Sequence, residues 1–247
     1  VELYEEKSID NWRLQFPEHQ LNTLSLTTAN EDAQLAGLYL DNPKSNNLIF
    51  VIQGNGMQAL VRVSKNEEVA IKRVLDAGAD GVVVPMIRNK EEAKQAVDYV
   101  KYPPIGKRGV GLNRAQKYGT AFDTYKEWVK DEVVVIAQIE HIDAVNNLED
   151  IFSVPGIDGI IVGPYDLSAS MGYPGEYDRP DVQAALLKID EVAKKLDKPL
   201  GFHVIDSGYQ KTLEKINKGY SFLAFSLDFF FLGDKAREEM KLLKSKL

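Results

Sequence analysis

VVVIAQIE (133–140) is followed by HIDAVNNLEDIFSVPG (141–156) and then by DGIIVGP (158–164). The first and third runs are short, apolar and rich in β-branched residues. They lack polar alternation, as parallel strands covered on both faces require. The middle segment has helical spacing and stops at Pro-Gly. A strand–helix–strand unit of this kind lays its helix against a parallel sheet.

The same alternation recurs on either side of that unit. LNTLSLTT (21–28), LYLDN (38–42), ALVRV (59–63), DGVVVPM (80–86), KPLGFHV (198–204) and YSFLAFSLD (220–228) also read as strands, making eight in all. Helical patterns lie between most of them, such as SKNEEVAIKRVLDAG (64–78), NKEEAKQAVDYVKYPP (89–104) and DVQAALLKIDEVAKKL (181–196). Eight such units in 247 residues is the arithmetic of a (β/α)8 TIM barrel. The expectation is a single α/β barrel domain over 1–247, its first twenty residues forming an extra N-terminal helix. A doubly wound open sheet is the alternative, though it seldom uses so many regular repeats. One feature strains the barrel. The nine residues 29–37 are short for a parallel crossover, which implies a cramped turn or a stretch of natural chain missing there.

Composition narrows the function. Net charge is −7, and pI is about 5.2. No lysine- or arginine-dense face is evident, which argues against nucleic acid as a partner. There is no cysteine, so disulfides, thiolate metal sites and a cysteine nucleophile are excluded. No apolar run reaches the ~20 residues that span a bilayer, so a membrane is not expected as a partner. VELYEEKSIDNW at the start lacks a signal pattern, and the expected location is cytoplasmic.

In such a barrel, polar residues at the carboxyl ends of strands are the candidates for chemistry. These are Asp41, Asn42, Arg62, Gln138, Glu140, Asp166, His203 and Asp228. Gln138 and Glu140 are two apart on one strand and share a face. A charge there needs a cation, either Arg62 or a metal ion shared by Glu140 and Asp166. Two carboxylates plus water suit a hard ion such as Mg2+ or Mn2+ better than zinc. Such an ion with open positions can chelate a 2-oxo acid and stabilise an enolate, with Arg62 neutralising the negative oxygen.

Each residue also has a plain structural reading. Asp166 opens DLSAS like a helix cap, and Glu140 and Arg62 could be structural ion-pair partners. His203 and His141 read as polar strand-end residues and His19 as a surface residue. QGNGMQ (53–58) imitates a dinucleotide loop but precedes a strand, so it reads as a turn. The long connector KYPPIGKRGVGLNRAQKYG (101–119) could bind an anion, cover the site or be an ordered surface loop.

Three stretches together carry a resemblance: LVRV with LDAGADGVVVPM; YPPIGKRGVGLNRA; and AQIEHIDAVNNLEDIFSVPGIDGIIVGPYDLSASMGYPG. In this order they resemble the HpcH/HpaI aldolase family, metal-dependent class II pyruvate aldolases. The resemblance implies a (β/α)8 barrel, an aldehyde-lyase activity and a divalent metal, Mg2+ before Mn2+ or Co2+. It implies cleavage of a 2-oxo-4-hydroxy acid to pyruvate and an aldehyde, and a homo-oligomer, commonly a hexamer. By position, Glu140 and Asp166 match metal ligands. Gln138, Gly163, Pro164, Tyr165 and Asp166 match the substrate-binding region, Arg62 the enolate-stabilising arginine, and Asp76 the aspartate supporting the catalytic histidine.

The chain departs from the family at LDNPKSNN, where Asp41 is kept but Pro43 and Lys44 replace the Glu and His of an Asp-x-Glu-His motif. The histidine is the family's general base. Lys44 could replace it and pair with Asp76, although an adjacent carboxylate raises a lysine pKa and opposes a basic role. His203 or a metal-bound water could do the proton work instead. Alternatively, the chain binds a 2-oxo acid without aldol turnover. Cleavage of acyl-CoA esters ranks last, for want of an adenosine pocket.

Overall fold

The computed structural model describes residues 43–247. Every apolar run from residue 59 onward that reads as a strand forms one. These are β1 (Leu60–Arg62), β2 (Gly81–Val84), β3 (Val134–Ile139), β4 (Gly159–Val162), β5 (Leu200–Val204) and β6 (Phe222–Phe225). They pair in sequence order, all parallel, with Val61 opposite Val82, Val83 opposite Ile136 and His203 opposite Ala224.

Helices fill the connections as the βαβ pattern requires. They are α1 (Pro43–Gly54), α2 (Glu68–Asp76), α3 (Lys90–Val100), α4 (Phe122–Asp131), α5 (Ile142–Asn146), α6 (Leu148–Phe152), α7 (Pro164–Ser170), α8 (Pro180–Lys195), α9 (Tyr209–Asn217) and α10 (Asp228–Lys244). Helix α2 buries Ala70, Ile71, Val74 and Leu75 and turns out at Gly78, whose φ of +101° suits glycine. The pattern in 141–156 reads as one helix but breaks into α5 and α6 at Asn147. There the Asn147 side chain donates to the carbonyls of Arg88 and Asp143. Among the described residues, no helix is long and apolar enough to cross a membrane.

Strand alternation makes two cores. The outward residues Val82, Val84, Val135, Ala137, Ile160 and Val162 pack under the helices. Inward, Leu60, Val83, Val134, Ile136, Ile161, Phe222 and Ala224 form a second cluster. Each fully buried Val, Ile, Leu or Phe contributes about 1.5–3 kcal/mol. Because Leu60 of β1 and Phe222 of β6 share that inner cluster, the sheet curls into a half-barrel.

The closed eight-stranded barrel is not what the described residues form. They make an open sheet of six strands, with β1 and β6 as its edges. The count of eight depended on strands at 21–28 and 38–42, which lie outside the described residues, as do the N-terminal helix and the short crossover. Immediately after them comes α1, which was not legible as a helix. Proline at its first position and Gly54 at its last bracket it. An eight-stave ring is the size whose interior side chains fill the middle, and six staves leave a concave face.

Candidate active site

Helix α2 runs back along the sheet, so Arg62 at the end of β1 and Asp76 at the end of α2 lie at opposite ends of the strands. At the carboxyl ends, inward-pointing positions collect Arg62 (β1), Gln138 (β3), Glu140 just beyond β3 and Gly163 just beyond β4. These four residues are in contact. Arg62 Nε donates to Gln138 Oε1 at 3.4 Å, and Gln138 Nε2 donates to Glu140 Oε2 at 2.5 Å. The other carboxylate oxygen, Oε1, accepts the Met86 backbone N–H at 2.9 Å. Gly163 completes the fit, since a Cβ there would lie 3.0 Å from Glu140 Oε2 and 3.1 Å from Gln138 Nε2.

Glu140 is only 2% exposed. Burial pushes its carboxyl above the ordinary glutamate range; the Met86 N–H and the Arg62 charge act against the rise, and Asp166 adds to it. Burial likewise lowers the Arg62 guanidinium, opposed by the charges of Glu140 and Asp166. For both partners desolvation outweighs the pairing. Asp166 does not cap α7. Gly163 holds the cap position with Pro164 next, and Asp166 lies exposed in the first turn. Tyr165 beside it is half exposed, and a Cβ at Gly175 would touch its ring.

Met86 is a contributor that sequence reasoning missed. It follows Pro85 with φ of +56°, a left-handed conformation that costs a side chain about 1–2 kcal/mol. No residue pattern signals this conformation, in which the Met86 N–H meets Glu140. Met86→Val should lower unfolding free energy by roughly 1–2 kcal/mol in urea, whereas Met86→Gly should hold or raise it. Equal stability of the two variants would refute strain at this position.

Asp76 is not part of this cluster within one chain. Its Oδ1 accepts from Arg108 Nη2 at 2.6 Å and its Oδ2 from Lys72 Nζ at 2.5 Å. Arg108 in turn packs 4.8 Å from the Tyr102 ring centroid and reaches the Tyr125 hydroxyl. Burial, above all, pushes Tyr125 up to about 12. Segment 101–121 therefore folds over the amino ends of the strands. Arg114 adds to this by donating to Ala77 O and Gln53 Oε1. Lys101, Arg108 and Arg114 of this segment go into that packing at the amino ends. In QGNGMQ the turn is at Asn55 and Gly56, while Gln53 and Gly54 end α1; Gln53 bonds Gly78 O and Asp80. Asp41 and the side chain of Lys44 lie outside the described residues.

A divalent ion can be tested against these donors. Glu140 and Asp166 offer two hard oxygen-bearing groups, and the like charge between them raises Glu140. Among the described residues, no cluster of three or more His, Cys, Asp and Glu could enclose a metal. A donor set of two carboxylates fits Mg2+ or Mn2+, ions that keep water and substrate oxygens in their shell, and does not fit structural zinc.

Residues 44–229 match the family model HpcH/HpaI aldolase/citrate lyase. The chain belongs to that family. A 2-dehydro-3,6-dideoxy-6-sulfogluconate aldolase of Pseudomonas putida is 38% identical over 200 residues, 81% of this chain and 77% of that protein. A hydroxypyruvate/pyruvate aldolase of Sagittula stellata is 41% identical over 170 residues, 68% of this chain and 66% of that protein. The crystal structure of an HpcH/HpaI aldolase from Desulfitobacterium hafniense superposes with a TM-score of 0.73 at 30% identity, covering 81% of this chain and 77% of that one. As an HpcH/HpaI member with aldolases among its relatives, the chain is an enzyme of the lyase class.

Proposed function

We propose that this HpcH/HpaI protein cleaves or forms the carbon–carbon bond of a 2-oxo-4-hydroxy acid, with pyruvate as the donor half and a divalent cation as cofactor. The observation that carries this reading is the chain Arg62–Gln138–Glu140, closed by the Met86 N–H and faced by Asp166. Glu140 and Asp166 would hold the ion. When bound, it supplies Lewis-acid polarisation of the 2-oxo acid's oxygens.

The chain's own residues do the remaining work. In the cleavage direction a base takes the proton of the C4 hydroxyl, and the freed oxygen pair forms the aldehyde C=O as the C3–C4 bond breaks. That bond's electrons become the C2=C3 bond, while the C2 carbonyl pair moves onto its oxygen as the enolate. Arg62 places a guanidinium, already held by Gln138, where that charge develops. Gln138 is oriented at both ends of its amide, so it presents a fixed edge to the substrate. The backbone of 163–166 lines the other side, with Tyr165 at the rim. A proton delivered to C3 then gives pyruvate.

A second reading rests on LDNPK: the chain binds a 2-oxo acid but lacks aldol turnover, because Lys44 stands where the family's base belongs. Asp76 is committed to Arg108 and Lys72, which supports neither a lysine–aspartate pair nor a histidine-like dyad within one chain. Calorimetry with pyruvate and Mg2+, beside an oxaloacetate decarboxylation assay, separates the readings. Binding together with pyruvate production is expected. Binding without product moves the conclusion to the second reading, and no binding at all removes both. A cytoplasmic homo-oligomer belongs to the same proposal. In its support, α10 buries none of its residues within one chain and exposes Leu232 and Leu243.

A further inference from the structure

Arg62, Gln138 and His203 come from β1, β3 and β5, alternate strands of the sheet, and line one cavity on its concave face. Alternate strands contribute side chains to a common interior layer in parallel barrels, and the same geometry operates here. The cavity measures about 30 Å3, and its remaining walls include Leu60, Ile161 and Phe222. His203 Nε2 is shielded from solvent and has no hydrogen-bond partner among the described residues. The mechanism above makes no use of it.

We infer that His203 is a positioning residue for Arg62: together with Gln138 it holds one ordered water in this cavity, and that water fixes the guanidinium that meets the 2-oxo acid. The inference rests on the aldolase reading of the site. Size and chemistry both favour it. One water needs at least about 10–15 Å3 and two to four polar partners, and three polar side chains converge here. An imidazole nitrogen left unpaired among Leu60, Ile161 and Phe222 would cost about 1–3 kcal/mol, a penalty that leucine at the same place would avoid. The bonding is complementary. The water oxygen accepts an N–H from the guanidinium, and one water O–H donates to the lone pair on Nε2. This requires a neutral imidazole. Burial, seconded by the charge of Arg62, lowers His203 to about 4, so it stays neutral at pH 7.

The test joins a crystal structure of the unliganded protein with pyruvate affinity at fixed Mg2+ for wild type, His203→Leu and His203→Gln. We expect density for a water within about 3.2 Å of His203 Nε2. His203→Leu should lose it and weaken pyruvate binding about tenfold, on the scale of outer-shell substitutions, without lowering the unfolding midpoint. His203→Gln, which keeps a polar atom, should recover most of the affinity. A merely structural histidine would instead show lost stability with unchanged affinity. A wild-type crystal with no water at Nε2 overturns the inference, whatever the variants do. Equal pyruvate affinity in wild type and His203→Leu also overturns it, leaving the aldolase reading intact. A wild type that does not bind pyruvate overturns the aldolase reading, and the positioning role with it.

Discussion

Glu140→Ala should abolish Mg2+-stimulated pyruvate exchange, a fall on the order of 1000-fold in kcat/KM. Two effects combine. The substitution takes away one of the two carboxylates that would hold the cation, and it releases Gln138 from the contact that orients its amide toward Arg62. Glu140→Gln separates chemistry from packing. It keeps an acceptor for the Met86 N–H while discarding a charge that burial already disfavours. That variant should be as inactive as Glu140→Ala, yet more stable than Glu140→Ala in the absence of metal, because it refills the space and keeps one of the two acceptor oxygens. The same pair of proteins reports on the ion. Added Mg2+ should raise the unfolding midpoint of wild type and leave both variants unmoved, since a ligand stabilises only the state that binds it. Full activity of Glu140→Ala in the presence of a chelator would sink the metal mechanism.

Asp76→Ala should cost about 3–5 kcal/mol of folding stability. The Arg108 side chain is 0% exposed and its Nη2 rests on Asp76 Oδ1. Removing the carboxylate leaves a guanidinium sealed between Tyr102 and Tyr125 with hydroxyl and ring contacts but no counter-charge. Lys72 loses its partner at the same time. Urea denaturation would read this as a midpoint lower by about 1 M or more. Asp76→Asn, which retains hydrogen-bonding shape, should lose less. A change under about 1 kcal/mol for Asp76→Ala would show that the buried pair is replaceable by local rearrangement. Family likeness points to Asp76 as support for a catalytic base, whereas within one chain its carboxylate anchors segment 101–121 at the amino ends of the strands.

Much of the fold was legible in residue order. VVVIAQIE and DGIIVGP read as covered parallel strands because both faces are apolar, and they are β3 and β4. The turn in QGNGMQ was legible from its place before a strand, though not that its first two residues end a helix. Helix α1 was not, since LDNPKSNN looks like a strand end until Pro43 is seen to open a helix. Closure was not legible either. A count of strands says nothing of which edges meet, and the described residues end in two open edges.

At the site, period-two spacing was enough to place Gln138 and Glu140 on one face, and the position of Arg62 at a strand end was enough to nominate it. Those inferences need only local backbone geometry, which a sequence carries in its own pattern. Tertiary structure decided the rest: the left-handed turn at Met86, the burial that raises Glu140, the convergence of His203 and Arg62 on one cavity, and the capture of Asp76 by Arg108. Each of these depends on residues distant in the chain being brought together. Their energies depend on which groups lose water together, and only the folded arrangement of strands settles that.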